Sequence, residues 1–391
     1  MKRNDLAGTA KTKPNKPNLW YLLAVRYNRR IMQKKPSVLI AMSGGVDSSV
    51  AAALLHQQGY DCTGVFMCFG QPASHNGCCS PQDSADAKQV ASSLGIKFAI
   101  LDFHKDLEGI IDYFVSEYRN ARTPNPCILC NSRLKFGKLM QYASLMDIDY
   151  VATGHYAKVE PLNGQASLMR GLDGKKDQSY ALFNLPKENL SRILLPLGTY
   201  TKTQVRKLAA DFKLPVHDKP ESQEICFVAD NNYANLISKR APQLCRPGPV
   251  VDTNGKKIGE HNGIFHFTIG QRRGIGIALG KPAYVIKLDA ATNTVVLGTG
   301  EHLRQRKLRA DNVNWLVEPP PDKPFKATVQ IRYNHRGAPA LVTPIVDDDG
   351  KVNRVVVDFD GPVTAITPGQ AAVFYDNDLV IGGGWIENAE N

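Results

Sequence analysis

Between residues 36 and 118 short apolar, β-rich runs alternate with amphipathic stretches, which restricts the chain to a mostly parallel sheet with helices on both faces. "PSVLIAM" (36–42) reads as a buried strand and "DSSVAAALLHQQG" as the next helix, closed by Gly59. "CTGVFMC" (62–68) and "FAILDF" (98–103) read as further strands, separated by the helix "SADAKQVASSLG" with its stop at Gly95. Leu107, Ile110, Ile111, Phe114, Val115 and Tyr118 then recur at helical spacing and mark one buried face. "DYVATGHYAKV" (149–159) supplies another strand, so this doubly wound α/β unit is expected to cover residues 36–228.

The pattern changes twice more. Residues 229–283 are punctuated by Gly and Pro, as in "RPGPV" and "TIGQRRGIGIALGKP", and read as a small central domain of short strands and loops. From Tyr284 the apolar period is two, through "AYVIKL", "TVVLG", "FKATVQIRY", "APALVTPIV", "VNRVVVDF" and "AAVFYDNDLVIGGG". Regular short strands predict a C-terminal antiparallel β-barrel over 284–391.

The net charge of +11 does not by itself imply a nucleic-acid partner. Residues 1–35 hold ten Lys/Arg against one Asp, which leaves 38 basic and 36 acidic residues elsewhere. A basic, disordered leader is therefore expected before a nearly balanced body, and any RNA-binding face must come from local clusters. No apolar run reaches the roughly 20 residues of a membrane span, so no membrane partner is expected. Eight cysteines are too few for a disulfide scaffold and point to a reducing cytoplasm.

"AMSGGVDSSV" (41–50) follows a strand and opens a helix. Gly44 and Gly45 permit close backbone approach, and Ser43, Ser48 and Ser49 add hydroxyls at a helix N-terminus, which together make an anion cradle. It is not a Walker A loop: no Gly-Lys-Ser/Thr follows and no lysine is expected at a β/γ bridge. A site built to hold pyrophosphate suits cleavage between the α and β phosphates. The stretch resembles the signature of the ATP-pyrophosphatase (PP-loop) superfamily. Ala41, Met42, Ser43, Gly44, Gly45, Val46, Asp47 and Ser48 are thus expected to bind ATP, with Asp47 helping to hold Mg2+. Met67 and Gly154, each at the C-terminal end of an expected strand, fall where open α/β sheets bind nucleotides.

"TPNPCILCNSRLKF" (123–136) places Cys127 and Cys130 at the spacing of half a metal clamp, a redox pair, or a nucleophile with a neighbour. Cys79 and Cys226 extend the metal alternative to an iron–sulfur ligand set, while no second Cys-x-x-Cys or His pair supports zinc. Arg119, Arg122, Arg133, Lys135 and Lys138 flank this loop as a funnel for phosphate or as an ordinary solvated face.

With "TGHYAKV" (153–159), "KDQSYAL" (176–182), "SQEICFV" (222–228), "FTIGQRRGIGI" (267–277) and "ITPGQAAVFY" (366–375), that stretch resembles the tRNA-specific 2-thiouridylases, the MnmA/TrmU family. The resemblance runs from about residue 36 to 391 and implies an adenine nucleotide α-hydrolase-like first domain, a small central domain and a C-terminal barrel. It implies ATP-dependent 2-thiolation of the wobble uridine (position 34) of tRNA, with release of AMP and pyrophosphate and with sulfur supplied by a cysteine desulfurase or relay protein. In that scheme Cys226 is the persulfide carrier and Cys130 the nucleophile, with a transient Cys130–Cys226 disulfide between them. Asn125, Pro126 and Cys127 match the target-base segment, and His155, Lys176, Asp177, Gln178, Arg332, Tyr333 and Gln370 match positions that touch tRNA. Arg336, in the turn after that strand, is a further phosphate or stacking candidate. The family reads Asn-Pro-Asp where this chain has Cys127, and a thiol does not stand in for a carboxylate. A monomer is expected. An iron–sulfur thiolase acting on another base, or a non-catalytic RNA-binding module, are the competing readings.

Overall fold

The computed structural model describes residues 35–70, 80–221, 225–228, 232–277 and 282–390. The basic leader (1–35, but for its last residue), Cys78 and Cys79 lie outside the described residues.

The first unit follows the alternation: β1 (Ser37–Ala41), α1 (Val46–Gln57), β2 (Asp61–Cys68), α2 (Pro81–Leu94), β3 (Lys97–Asp102) and α3 (His104–Arg119). Then come α4 (Pro126–Leu129), a π-helical stretch (Cys130–Lys138), α5 (Leu139–Leu145), β4 (Tyr150–Ala152), a hairpin of β5 (Ala157–Leu162) and β6 (Gln165–Arg170), α6 (Ser179–Leu182), β7 (Ile193–Leu194) and α7 (Lys202–Asp211). The sheet order is β3-β2-β1-β4-β7 and every pairing is parallel. β1 is buried along Ser37, Val38, Leu39 and Ile40 because helices cover both its faces, and α3 buries the six residues its spacing predicts.

The run 149–159 is not one strand. It leaves the sheet after Ala152 because a Cβ on Gly154 would lie 2.8 Å from the Asp47 carbonyl carbon and the Ser48 nitrogen, so the chain passes over the start of α1. β5 and β6 then join the far sheet, where Leu379 pairs with Met169 and the Arg170 N–H donates to the Asp378 carbonyl at 2.8 Å.

α8 (Tyr233–Arg240) opens the middle region, where sequence predicts only strands and loops. β8 (Gly248–Val251), β9 (Lys257–His261), β10 (Tyr284–Asp289) and β11 (Thr294–Gly298) form a four-stranded sheet in the order β10-β11-β8-β9. The first two period-two runs after Tyr284 therefore belong with the middle sheet, since Val295 and Val296 pair with Val250 and Val251. β12 (Arg304–Trp315), β13 (Phe325–Gln330), β14 (Ala338–Val346), β15 (Val352–Thr364), β16 (Ala371–Asp376) and β17 (Leu379–Glu390) make the antiparallel barrel, closed by pairing of β12 with β17. Closure removes both sheet edges. Its inward residues, among them Leu308, Val329, Val342, Val357 and Phe374, form a separate core. Among the described residues no helix is long and apolar enough to cross a membrane.

Candidate active site

Strand order reverses at β1, whose neighbours are β2 on one side and β4 on the other, so the crevice beyond the ends of β1 and β4 is where such a sheet receives a ligand. The glycine-rich loop leaves β1 there. Gly44 has φ +73° and lies against Asp83, while Gly45 is the N-cap of α1 with extended backbone and no side-chain cap. The first-turn N–H groups of Val46, Asp47 and Ser48 have no partner within the helix. Ser48 Oγ accepts from the Ser43 N–H at 3.1 Å and lies 3.2 Å from Ser43 Oγ, while Ser49 Oγ donates to the Gly45 carbonyl at 2.8 Å. These bonds hold the turn so that its backbone forms the cradle. Ala41 ends β1; Met42 and Met67 have buried side chains, so they contribute packing and backbone at this rim. Gly154 closes it from β4.

Around this cradle stand charged residues that sequence reasoning missed. Lys202 Nζ lies 2.7 and 2.8 Å from the two Asp47 carboxylate oxygens and 2.8 Å from Glu221 Oε1. The Tyr156 hydroxyl donates to Asp47 Oδ1 at 2.7 Å, and Lys176 Nζ donates to Glu221 at 2.6 Å. Lys219 Nζ donates to the Gly44 carbonyl at 3.0 Å and to Asp83 at 2.6 Å, and also pairs with Asp86. Burial would raise the Glu221 carboxyl, but the hydrogen bonds and charges of Lys176 and Lys202 outweigh it and carry it down to about 2. Lysines absent from the loop's own sequence thus arrive from α7 and from the segment near residue 219. The backbone cradle fits the phosphates of a nucleotide. Both oxygens of Asp47, the residue expected to help hold Mg2+, are engaged by Lys202, and Oδ1 also by the Tyr156 hydroxyl. Among the described residues no group of three Cys, His, Asp or Glu side chains is arranged to hold a metal ion, and Cys79, the possible fourth ligand of the iron–sulfur alternative, lies outside them.

The thiol site lies at the start of α4. Asn125 is its N-cap and Pro126 its first residue, where a missing N–H costs nothing. Cys127 is exposed, Cys130 is buried, and Cys226 is exposed in its own turn. Helix geometry widens at Cys130 into the π-helical stretch, a departure concentrated at functional sites. Gly137 permits it, because a Cβ there would meet the Ser132 carbonyl at 2.7 Å. Burial pushes the Cys130 thiol up to about 12; Lys135 pulls it down, and Cys226 and Cys127 push it further up. Burial also raises the Cys127 thiol, with Lys135 opposing and Cys226 adding, although the residue as a whole is exposed. Phe227, next to Cys226, packs against the core cluster that contains Cys130, so the Cys226 turn lies against the core that holds that thiol. The buried Asn131 side chain donates to the Ala181 carbonyl at 3.0 Å, while its Oδ1 has no hydrogen-bond partner among the described residues.

The expected tRNA residues divide into two groups. Tyr333 is 42% exposed, and its ring lies 6.4 Å from that of the buried Tyr180, a member of the core cluster that includes Cys130. Arg332, half-buried, donates to the Thr364 carbonyl at 2.8 Å, and Arg336 is exposed. The others carry internal duties. Asp177 accepts from Arg170 at 2.9 Å, from the Gly171 N–H at 2.9 Å and from the Ser179 hydroxyl at 2.8 Å. Gln178 Oε1 accepts from the Tyr156 N–H at 2.9 Å. His155 is buried, 2.6 Å from Thr153 Oγ1, and burial, assisted by the Lys135 charge, holds it well below the usual imidazole range. Gln370 Nε2 donates to the Thr123 carbonyl at 2.8 Å, the Thr123 N–H donates to the Pro368 carbonyl at 2.9 Å, and Arg122 reaches the Ile386 carbonyl at 3.2 Å. The barrel is thereby clamped to the residues just ahead of Asn125. Of the basic residues flanking the thiols, Arg122 pairs with Glu117 and Lys138 with Asp106, whereas Arg119 and Arg133 are exposed.

A parallel sheet with a Ser-Gly-Gly-Val-Asp-Ser loop at its reversal point defines an ATP-binding protein of the PP-loop class. The sequence pattern of the tRNA methyl transferase HUP domain matches residues 36–230, that of the tRNA methyl transferase PRC-barrel domain 235–299, and that of the aminomethyltransferase β-barrel domain 305–386. The tRNA-specific 2-thiouridylase MnmA of Halothermothrix orenii is 48% identical over 357 residues, covering 90% of this chain and 98% of its own. The enzyme of the same name from Carboxydothermus hydrogenoformans is 48% identical over 362 residues, covering 90% and 98%. Among solved structures, the U34-tRNA thiolase NcsA of Methanococcus maripaludis with its 4Fe-4S cluster is a remote match, 18% identical over 55% of this chain and 68% of its own, with a TM-score of 0.33. The chain belongs to the family of tRNA-specific 2-thiouridylases.

Proposed function

We propose that this protein is a tRNA-uridine 2-sulfurtransferase that thiolates the wobble uridine at the expense of ATP. Membership of the family supports the activity. The observation that carries the site is the packing of Phe227, the chain neighbour of Cys226, against the buried cluster that contains Cys130, far from it in sequence, on the same domain as the nucleotide loop.

The oxygen on C2 of a uracil is a very poor leaving group. Attack of that oxygen on the α phosphorus of ATP releases pyrophosphate and converts the oxygen into part of AMP, which leaves readily. The terminal sulfur of a Cys226 persulfide then adds to C2 and AMP departs with the original oxygen. Cys130, as thiolate, attacks Sγ of Cys226; the electron pair of the broken S–S bond stays on the sulfur left at C2, and a Cys130–Cys226 disulfide results. A dithiol reductant from outside the protein returns both thiols, and a persulfide-bearing donor protein recharges Cys226. The ordinary resting state of Cys130 is the neutral thiol, because burial pushes its pKa up to about 12, so Lys135 and the arriving tRNA must favour the thiolate. Tyr333 offers a stacking surface for an unpaired base. Asp177, Gln178 and Gln370 act by fixing the frame around it. Magnesium, where present, arrives with the nucleotide phosphates, and the protein acts as a monomer in the cytoplasm.

Thionucleoside analysis of tRNA from cells whose only copy is Cys130→Ser or Cys226→Ser tests the reading. Both variants are expected to lack 2-thiouridine, and its persistence in Cys226→Ser would remove the carrier role.

A further inference from the structure

We infer that Lys202 is the cation that receives the pyrophosphate part of the nucleotide, held on Asp47 until phosphate arrives. This rests on the reading of residues 43–48 as the nucleotide site and adds to it the residue that neutralises the charge.

A glycine-rich loop supplies backbone N–H groups and a helix dipole worth about half a charge, too little for the several charges of pyrophosphate. The loop's own sequence contains no lysine or arginine, so the missing charge has to come from another element. Lys202 is placed for it. It is the first residue of α7, and a capping box between Thr201 and Gln204 fixes that helix start, while its own N–H donates to Asp173 at 2.9 Å. With its base fixed, its ammonium reaches both oxygens of Asp47, a first-turn residue of α1 whose own N–H belongs to the cradle. The lysine side chain is 13% exposed.

The hydrogen-bond pattern suits exchange. The three donors of Lys202 are spread over Asp47 Oδ1, Asp47 Oδ2 and Glu221 Oε1. If the ammonium moves onto a phosphate oxygen, Asp47 keeps the Tyr156 hydroxyl at 2.7 Å and Glu221 keeps Lys176 at 2.6 Å. Neither carboxylate is left bare, so the usual penalty for breaking a partly buried ion pair is reduced. Lys219 differs: it is bonded to the Gly44 carbonyl and to two aspartates on α2, which makes it a positioning residue for the turn.

The test is calorimetric titration of the full chain, with a metal chelator present, by inorganic pyrophosphate and separately by AMP. Losing a charge-assisted bond to phosphate predicts that Lys202→Met weakens pyrophosphate binding by about 10- to 100-fold. AMP affinity should change less than about twofold, and Lys202→Arg should stay within about threefold of wild type for both ligands. Lys202→Gln, which can still bond to Asp47 and Glu221, gives the same reading should the methionine variant not fold. Unchanged pyrophosphate affinity, or a parallel loss of AMP affinity, overturns the inference and leaves the nucleotide site standing. Failure of the wild-type chain to bind either ligand overturns both.

Discussion

Replacing Gly44 with alanine while leaving Gly45 alone, and the reverse, separates two roles in one loop. At Gly44 a Cβ would stand 2.2 Å from the Asp83 carbonyl oxygen, 2.9 Å from its carbon and 3.0 Å from its Cα, at φ +73°. A left-handed alanine costs roughly 1–2 kcal/mol. Forcing a methyl group into occupied backbone space adds roughly 1–3 kcal/mol. The total, about 2–5 kcal/mol, corresponds to a fall in the unfolding temperature of roughly 5–20 °C for a domain of this size. Gly45 sits at φ −98°, and a Cβ there meets Ser43 Oγ at 3.4 Å. An alanine N-cap in its place costs about 1 kcal/mol or less. Differential scanning calorimetry of the two ligand-free variants at one scan rate measures the difference directly. If their unfolding temperatures agree within about 2 °C, the close packing of the loop on α2 is not what fixes it.

Three further outcomes are expected. Because burial holds the Cys130 pKa near 12, its alkylation by iodoacetamide, followed by mass spectrometry in the ligand-free protein, should keep rising about tenfold per pH unit through pH 7–10 and not level off near the free-cysteine value of about 8.5. A carboxyl lowered from 4.5 to about 2 stabilises the fold above its unfolded pKa and loses that contribution as pH falls through the folded value; the melting temperature of wild type should therefore fall more steeply between pH 4.5 and 2 than that of Glu221→Gln. Gln370→Leu removes the donor on the Thr123 carbonyl and loosens the barrel from the thiol loop, so the KM for tRNA should rise several-fold while the affinity for pyrophosphate stays put; equal effects on both would mean that the clamp does not act locally.

The catalytic domain was legible in sequence because its signals are local. Buried parallel strands read as apolar runs, the glycine loop sits at a strand–helix junction, and Gly59 and Gly95 mark helix ends. What escaped depends on long-range pairing. β12 is rich in charge, with only Leu308 and Ala310 buried along it, so its period of two hardly shows. β5 and β6 follow a nucleotide-domain strand in sequence yet pair with the barrel, and only three-dimensional proximity to Leu379 reveals it. In the site, the loop and the cysteines could be found from spacing, whereas Lys202, Lys219 and Tyr156 come from elsewhere in the chain and converge on it only on folding. Conversely, Asp177 and Gln178, matched to tRNA contacts, are used in bonds to Arg170 and Tyr156. The π-helical stretch at Cys130 left no periodic mark, because Gly137 alone signals it, and only through the space it leaves for Ser132.

The most direct measurement is a single turnover with radioactive sulfur placed on Cys226 as a persulfide, ATP and an unmodified substrate tRNA, run with wild type and with Cys130→Ser. Wild type should move the label to free tRNA only when ATP is present, whereas Cys130→Ser should release pyrophosphate and hold the label in a protein–tRNA adduct joined through Cys226, seen on a non-reducing gel. Free labelled tRNA from Cys130→Ser under non-reducing conditions, or labelled tRNA from wild type without ATP, would contradict a centre in which nucleotide activation and two thiols act on one base.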